Sequence, residues 1–139
     1  MVARVLVPMD ESEMAERALR FALEAHPDAE FVVVHVVGEP SSMMGSAAGL
    51  ALADDWKTAA NEQASDLFDR AHEVAVEAGA EIGTEVVAGH PARSVIQMSD
   101  GFDVVVIGSH SGTLADRLLV GNVAEKIVRG SATPVTVVR

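Results

Sequence analysis

Apolar residues along this chain arrive in short unbroken blocks, separated by stretches in which they recur at helical spacing. Val2 to Val7, Phe31 to Val37, Val104 to Ile107 and Val135 to Val138 are such blocks, with a weaker one at Glu81 to Val87. Continuous valine-rich runs of this length, bounded by turn residues, predict strands buried on both faces of a parallel sheet. Between them, Ser12 followed by Ala15, Ala18, Leu19, Ala22 and Leu23 predicts a helix behind an N-cap serine. Asn61 to Ala78, stopped by Gly79, predicts a second helix, and Pro91 to Ser99, opened by His90-Pro91, a third. Val123 to Val128 forms the core of a fourth, which ends before Thr133-Pro134. Gly38 to Ala53, with Pro40, Ser41, Ser42, Gly45 and Gly49, predicts the one long loop, a candidate flap over a ligand or partner that carries Met43 and Met44.

Strands alternating with helices predict an α/β fold: a Rossmann-like open parallel sheet of five strands with helices on both faces, in a single domain spanning 1–139. Ligands of such sheets sit beyond the carboxyl ends of the strands, at the switch in strand order. Asp10, just past the first strand, and Gly108, just past the fourth, both fall there. The fourth strand stops at Gly108 and leads into Ser109-His110-Ser111-Gly112, and Gly121-Asn122 then opens a helix. Bare main-chain N–H groups in such a turn, with the unpaired N–H groups and positive dipole end of the helix, suit a phosphate.

Composition narrows the field. Hydrophobic residues make up 49% of the chain and aromatics only 4%, so the core is aliphatic. The absence of cysteine excludes disulfides and thiolate chemistry and agrees with a cytoplasmic location. Ten Lys and Arg stand against twenty-one Asp and Glu, a formal charge of −11 that repels nucleic acid and anionic membrane. With lysine present only at 57 and 126, this acidity fits a concentrated salt environment that screens self-repulsion. The apolar blocks are far shorter than the ~20 residues that span a bilayer. The five histidines, His26, His35, His72, His90 and His110, show no metal-ligand spacing. No G-x-x-x-x-G-K-[ST] and no G-x-G-x-x-G after the first strand is present. Gly108 to Gly112 has His110 where a nucleophile elbow carries serine, so no hydrolase triad is expected.

Taken in order, Val5 to Asp10 with Ser12, His35-Val36, Gly89-His90-Pro91, Asp103 to Gly108, Gly121 to Lys126 and Thr133-Pro134-Val135 resemble the landmarks of the universal stress protein family over nearly the whole chain. The resemblance implies strand order 3-2-1-4-5 and a homodimer through the last strand, Val135 to Val138. It also implies a stress-response regulator that binds ATP or a related adenine nucleotide, with cofactor contacts from Pro8, Asp10, Val36, Gly108, Ser109, His110, Ser111, Gly112, Gly121, Asn122 and Val123. ATP-binding members carry Gly, two residues, Gly, nine residues, then Gly and Ser or Thr. Here Gly108 and Gly121 match the first and third glycines, while Ser111 and Asn122 replace the second glycine and the hydroxyl residue.

Asp10 either contacts the ribose, base or a nucleotide-bound Mg²⁺, or caps the following helix. Val36 recognises adenine through its backbone, or is a core valine, or both. His35 is expected as a core histidine, and His110 either touches phosphate or is an idle loop residue. Arg117 and Lys126 either lend charge to the phosphate tail or belong to solvated faces beside Asp116 and Glu125. No general base stands out, so slow ATP hydrolysis is the most that is expected by way of catalysis. The alternative function is a nucleotide-independent dimeric module that recruits a protein partner.

Overall fold

The computed structural model describes residues 1–38, 46–109 and 122–139, with 46–57 described by their helical backbone alone. Nine elements follow one another: β1 (Arg4–Pro8), α1 (Glu13–Ala25), β2 (Glu30–Val37), α2 (Ser46–Glu77), β3 (Ile82–Ala88), α3 (Pro91–Ser99), β4 (Val104–Gly108), α4 (Asn122–Gly130) and β5 (Val135–Val138). The strands form one parallel sheet in the order β3-β2-β1-β4-β5. The direction of chain progression therefore switches between β1 and β4.

Alternation along each strand sends side chains to two cores. Val5, Val7, Phe31, Val33, Val104 and Val106 pack with α1 and α2 residues such as Leu19, Leu23, Leu67 and Val74. Leu6, Val34, Val105 and Ile107 pack with Ala92 and Val95 of α3 and Ala124 and Ile127 of α4. Because both faces of the central strands are covered, they read as unbroken apolar runs.

The helix ends obey local chemistry. Ser12 accepts a hydrogen bond from the Ala15 N–H (3.2 Å), capping α1. Gly79, at φ 69°, closes α2 with its N–H donating to Val76 O (3.0 Å) while Ala80 N–H donates to Ala75 O (2.9 Å), a Schellman arrangement that favours glycine. Across the two helices Glu16 accepts from Arg20 (2.9 Å) and Arg70 (2.7 Å), and Arg20 also meets Glu77 at 2.8 Å.

One expectation is corrected. The long loop predicted over Gly38 to Ala53 is helical from Ser46 onward, and α2 runs for 32 residues rather than beginning at Asn61. The physical reason is the alanine-rich stretch from Ala47 to Ala60, whose helix propensity outweighs Gly49. Met43 and Met44, expected in that loop, lie outside the described residues.

At the amino end of the sheet, Asp103 accepts from the Ala3 and Arg4 N–H groups (2.9 and 2.8 Å). Those two donors hold its carboxyl below its ordinary range, Arg4 contributing more than Ala3.

Candidate functional site

The hydrogen-bond direction of each strand shows what faces the switch point. In β1, Ala3 O accepts from Glu30 N–H and Met9 N–H donates to Val34 O (both 2.8 Å), so odd-numbered residues address β2. Even-numbered ones address β4, as Arg4 does when its carbonyl accepts from Asp103 N–H (2.9 Å). Pro8 is even-numbered and has no N–H. The next rung toward β4 would need that donor, and the β1–β4 register accordingly ends at Leu6↔Val105, although β4 itself continues to Gly108.

A notch results across the end of β1. On one side Val36 extends past the last β1–β2 pair, Pro8↔Val34. Since Val34 O serves β1 and Val37 O accepts from Gly89 N–H (2.9 Å) on the β3 side, alternation turns the Val36 main chain toward β1, beyond where β1 has ended. The side chain of Val36 meanwhile packs on the α3/α4 core, so both of its expected roles are compatible.

On the other side Ser109 N–H donates to Val138 O (2.8 Å), which leaves the Gly108 main chain facing β1. Position 108 must be glycine for a packing reason. A β carbon there would stand 2.9 Å from Met14 O and 3.1 Å from the Met14 β carbon in the first turn of α1. Positive φ does not enter, because the described glycines with positive φ are Gly79 and Gly89.

Ser109 is 2% exposed, and its hydroxyl has no hydrogen-bond partner among the described residues. A buried hydroxyl left unpaired costs on the order of 1–3 kcal/mol, so this one calls for a complement beyond the described residues. Following the parity of Val105 and Ile107, it lies on the face covered by α3 and α4. The helix α4 connects to β5 through a short turn and so runs antiparallel to it, which sets Asn122 and Val123, both exposed, at the carboxyl end of the sheet.

Asp10 is exposed, and its Oδ1 accepts from Ser12 N–H at 2.8 Å, an Asx turn that leads into the α1 cap. The cap of α1 is Ser12, so Asp10 fixes the turn ahead of the helix rather than capping it. His35 is half-buried with Nδ1 2.9 Å from Met9 O; a carbonyl can only accept, so Nδ1 carries the proton and the ring pins the loop before Asp10. His110, Ser111, Gly112, Arg117 and Gly121 lie outside the described residues.

Pro8, Asp10, Val36, Gly108, Ser109, Asn122 and Val123 thus share one end of the sheet. Gly89 joins them at the end of β3: its φ of 142° demands glycine, with the rotatable Ser94 Oγ 2.9 Å from a would-be β carbon. A glycine directly before a helix-opening His-Pro pair was the sequence signal for it. No group of three or more His, Cys, Asp or Glu suited to a metal ion occurs among the described residues. No described helix is long and apolar enough to cross a membrane.

The family model described as "Universal stress protein family" matches residues 1–139. The chain belongs to the universal stress protein family. It is 26% identical to universal stress protein MJ0577 of Methanocaldococcus jannaschii, covering 100% of this chain and 96% of that protein. Against the solved structure of MJ0577 it superposes with a TM-score of 0.75 at 25% identity, covering 98% of this chain and 94% of that one. Universal stress protein YxiE of Bacillus subtilis is likewise 26% identical, with both chains covered in full (100% and 100%). A universal stress protein in complex with cAMP matches with a TM-score of 0.72 and 27% identity, over 99% of this chain and 97% of that one. The sheet order expected of the family is the order observed.

Proposed function

We propose that this universal stress protein is a cytoplasmic regulatory module that binds ATP or a related adenine nucleotide at the β1/β4 switch point, and that occupancy orders the surrounding loops. The observation that carries this reading is the main-chain notch, in which β1 ends on a residue without an N–H between the outward-turned backbones of Val36 and Gly108. Backbone polar groups left facing a crevice call for a polar ligand. The Ser109 hydroxyl at the same end, without a partner among the described residues, adds a donor suited to phosphate oxygen. A relative whose structure holds cAMP supports an adenine nucleotide as the ligand class.

In this arrangement Val36 reads adenine, Pro8 and Asp10 line the ribose, and Gly108, Ser109, Asn122 and Val123 flank the phosphates. His110, Ser111, Gly112 and Gly121 complete the phosphate loop in sequence. Asp10 is the residue that would hold a Mg²⁺ brought in with the nucleotide, and the ion would neutralise phosphate charge. Calorimetric titration with ATP and Mg²⁺ tests the reading: saturable heat is expected, and none up to millimolar nucleotide would sink it. Ser109→Ala is expected to weaken binding by about tenfold, the order of one charge-assisted hydrogen bond.

A homodimer through β5 belongs to the same proposal. All four residues of β5 are half-buried at the sheet edge, and an uncovered apolar edge invites strand pairing. Beside it an open cleft of about 430 Å³ is lined by Arg17, Phe21, Glu24, Thr136, Val137, Val138 and Arg139. Sedimentation at micromolar protein should show a dimer that Val137→Lys dissociates; a monomeric native mass contradicts the dimer.

The same cleft, with Phe21 42% exposed, favours the second reading, a nucleotide-independent module that recruits a protein partner. Replacing Ser111 by Gly together with Asn122 by Ser separates the two. Nucleotide binding gained only in that double variant supports the second reading, and unchanged binding supports the first.

A further inference from the structure

Helix α1 packs on β4 and on both its neighbours, β1 and β5, and so is centred inward of the β5 edge. The open cleft of about 430 Å³ lies over β5 beside it, lined by Arg17, Phe21 and Glu24 of α1 and by Thr136 to Arg139. Those three α1 residues, spaced i, i+4 and i+7, form one exposed stripe along the helix. Arg17 and Glu24 stand about 10 Å apart along the axis, too far to meet each other, and form no ion pair among the described residues.

Antiparallel pairing of β5 with a second β5 continues the sheet, and its two-fold axis stands perpendicular to the sheet between the paired strands. The two copies of α1 then lie antiparallel on one face, each over its own β4. Three strand spacings separate them, about 14 Å, whereas touching helices pack about 8–10 Å apart. Long side chains have to fill that gap, and the cleft of each protomer is half of it. Direction decides what meets there. A β carbon at Gly108 would touch Met14, and Gly108 pairs with Val138, so α1 begins at the carboxyl end of β5. Arg17 and Arg139 therefore mark that end of the cleft and Glu24 the other. The two-fold axis reverses the second copy and sets basic end against acidic end twice over.

Resting on the β5 homodimer, we infer that the occupant of the cleft is the same cleft of a second copy: the two Phe21 side chains close on each other near the axis, and Arg17 of each protomer meets the partner subunit's Glu24. The aromatic ring anchors the contact while the charges at its rim select the partner. A stripe that is its own complement favours an identical chain, because a related chain with one of these charges altered leaves unmatched or like charges facing each other.

Sedimentation in dilute salt tests this, with the fold of each variant checked by circular dichroism. Arg17→Glu alone and Glu24→Arg alone each bring like charges together twice per dimer, and each is expected to weaken dimerisation by about tenfold. The combined variant Arg17→Glu, Glu24→Arg should dimerise about as tightly as the native chain, and an equimolar mixture of the two single variants should form the mixed dimer in preference to either homodimer. Phe21→Ala should weaken dimerisation by about tenfold or more. Single charge variants that dimerise like the native chain, a combined variant that does not recover, or a mixture no tighter than its components overturns the inference, and a different occupant of the cleft gives the first of these results. A native chain that is monomeric at micromolar concentration, or a dimer indifferent to Val137→Lys, overturns the β5 reading itself.

Discussion

A β carbon at position 108 would meet the backbone of Met14 at 2.9 Å, and a helix backbone yields less readily than a side chain. Gly108→Ala is therefore expected to cost about 1–3 kcal/mol by overpacking, seen as a lower urea midpoint with an unchanged slope. At the opposite end of the sheet, Asp103 is held below its ordinary range by the N–H groups of Arg4 and Ala3. Glu16 is likewise lowered, first by its hydrogen bond from Arg70 and also by Arg20. Their stabilisation is full above the unfolded carboxylate range and drains away as pH falls through the lowered folded values. Stability should decline on acidification below about pH 4, and Asp103→Asn should flatten that decline. An unaltered acid limb in urea titrations of the variant would remove Asp103 from the account. Asp10 shows how far single residues were legible: its type and place suggested either a cap or a ligand contact, and the 2.8 Å bond from Ser12 N–H fixes instead the turn ahead of a helix that Ser12 caps.

At the scale of elements, one proline decides where β1 and β4 part. Pro8→Ala returns an N–H on the side facing β4, so a further rung between β1 and β4 becomes possible. The expected outcome is a slowly exchanging amide at position 8 together with weaker nucleotide binding, read by hydrogen exchange and calorimetry; a rapidly exchanging amide 8 would show that the ladder ends for another reason. The strands themselves were legible to within two residues, because a run such as Val104 to Ile107 between turn residues has few other uses. The start of α2 was not. From Ser46 to Ala53 the chain is small and apolar without a sharp helical stripe, and its Gly49 and the nearby Ser41, Ser42 and Ser46 read equally as loop.

For the molecule as a whole, a charge of −11 on 139 residues is self-repulsion that salt screens. The thermal midpoint should rise from dilute to molar KCl, and a flat response would detach the acidity from any high-salt setting. The ion pairs that tie α1 to α2 act the other way, since exposed pairs weaken with salt; their individual contributions are small enough that net repulsion should prevail.

By itself the sequence determined the elements, their alternation and the aliphatic two-faced core, because those follow from contacts within a few residues and from the period of apolar positions. The strand order came with the family resemblance, and no local pattern encodes it. Only the tertiary structure decided that Pro8 interrupts one ladder and not another, that Gly108 answers to Met14, and that the Ser109 hydroxyl is buried with no partner among the described residues. Each of these depends on segments distant in the chain being brought side by side, and main-chain pairing across such distances leaves no periodic trace in the residues that form it.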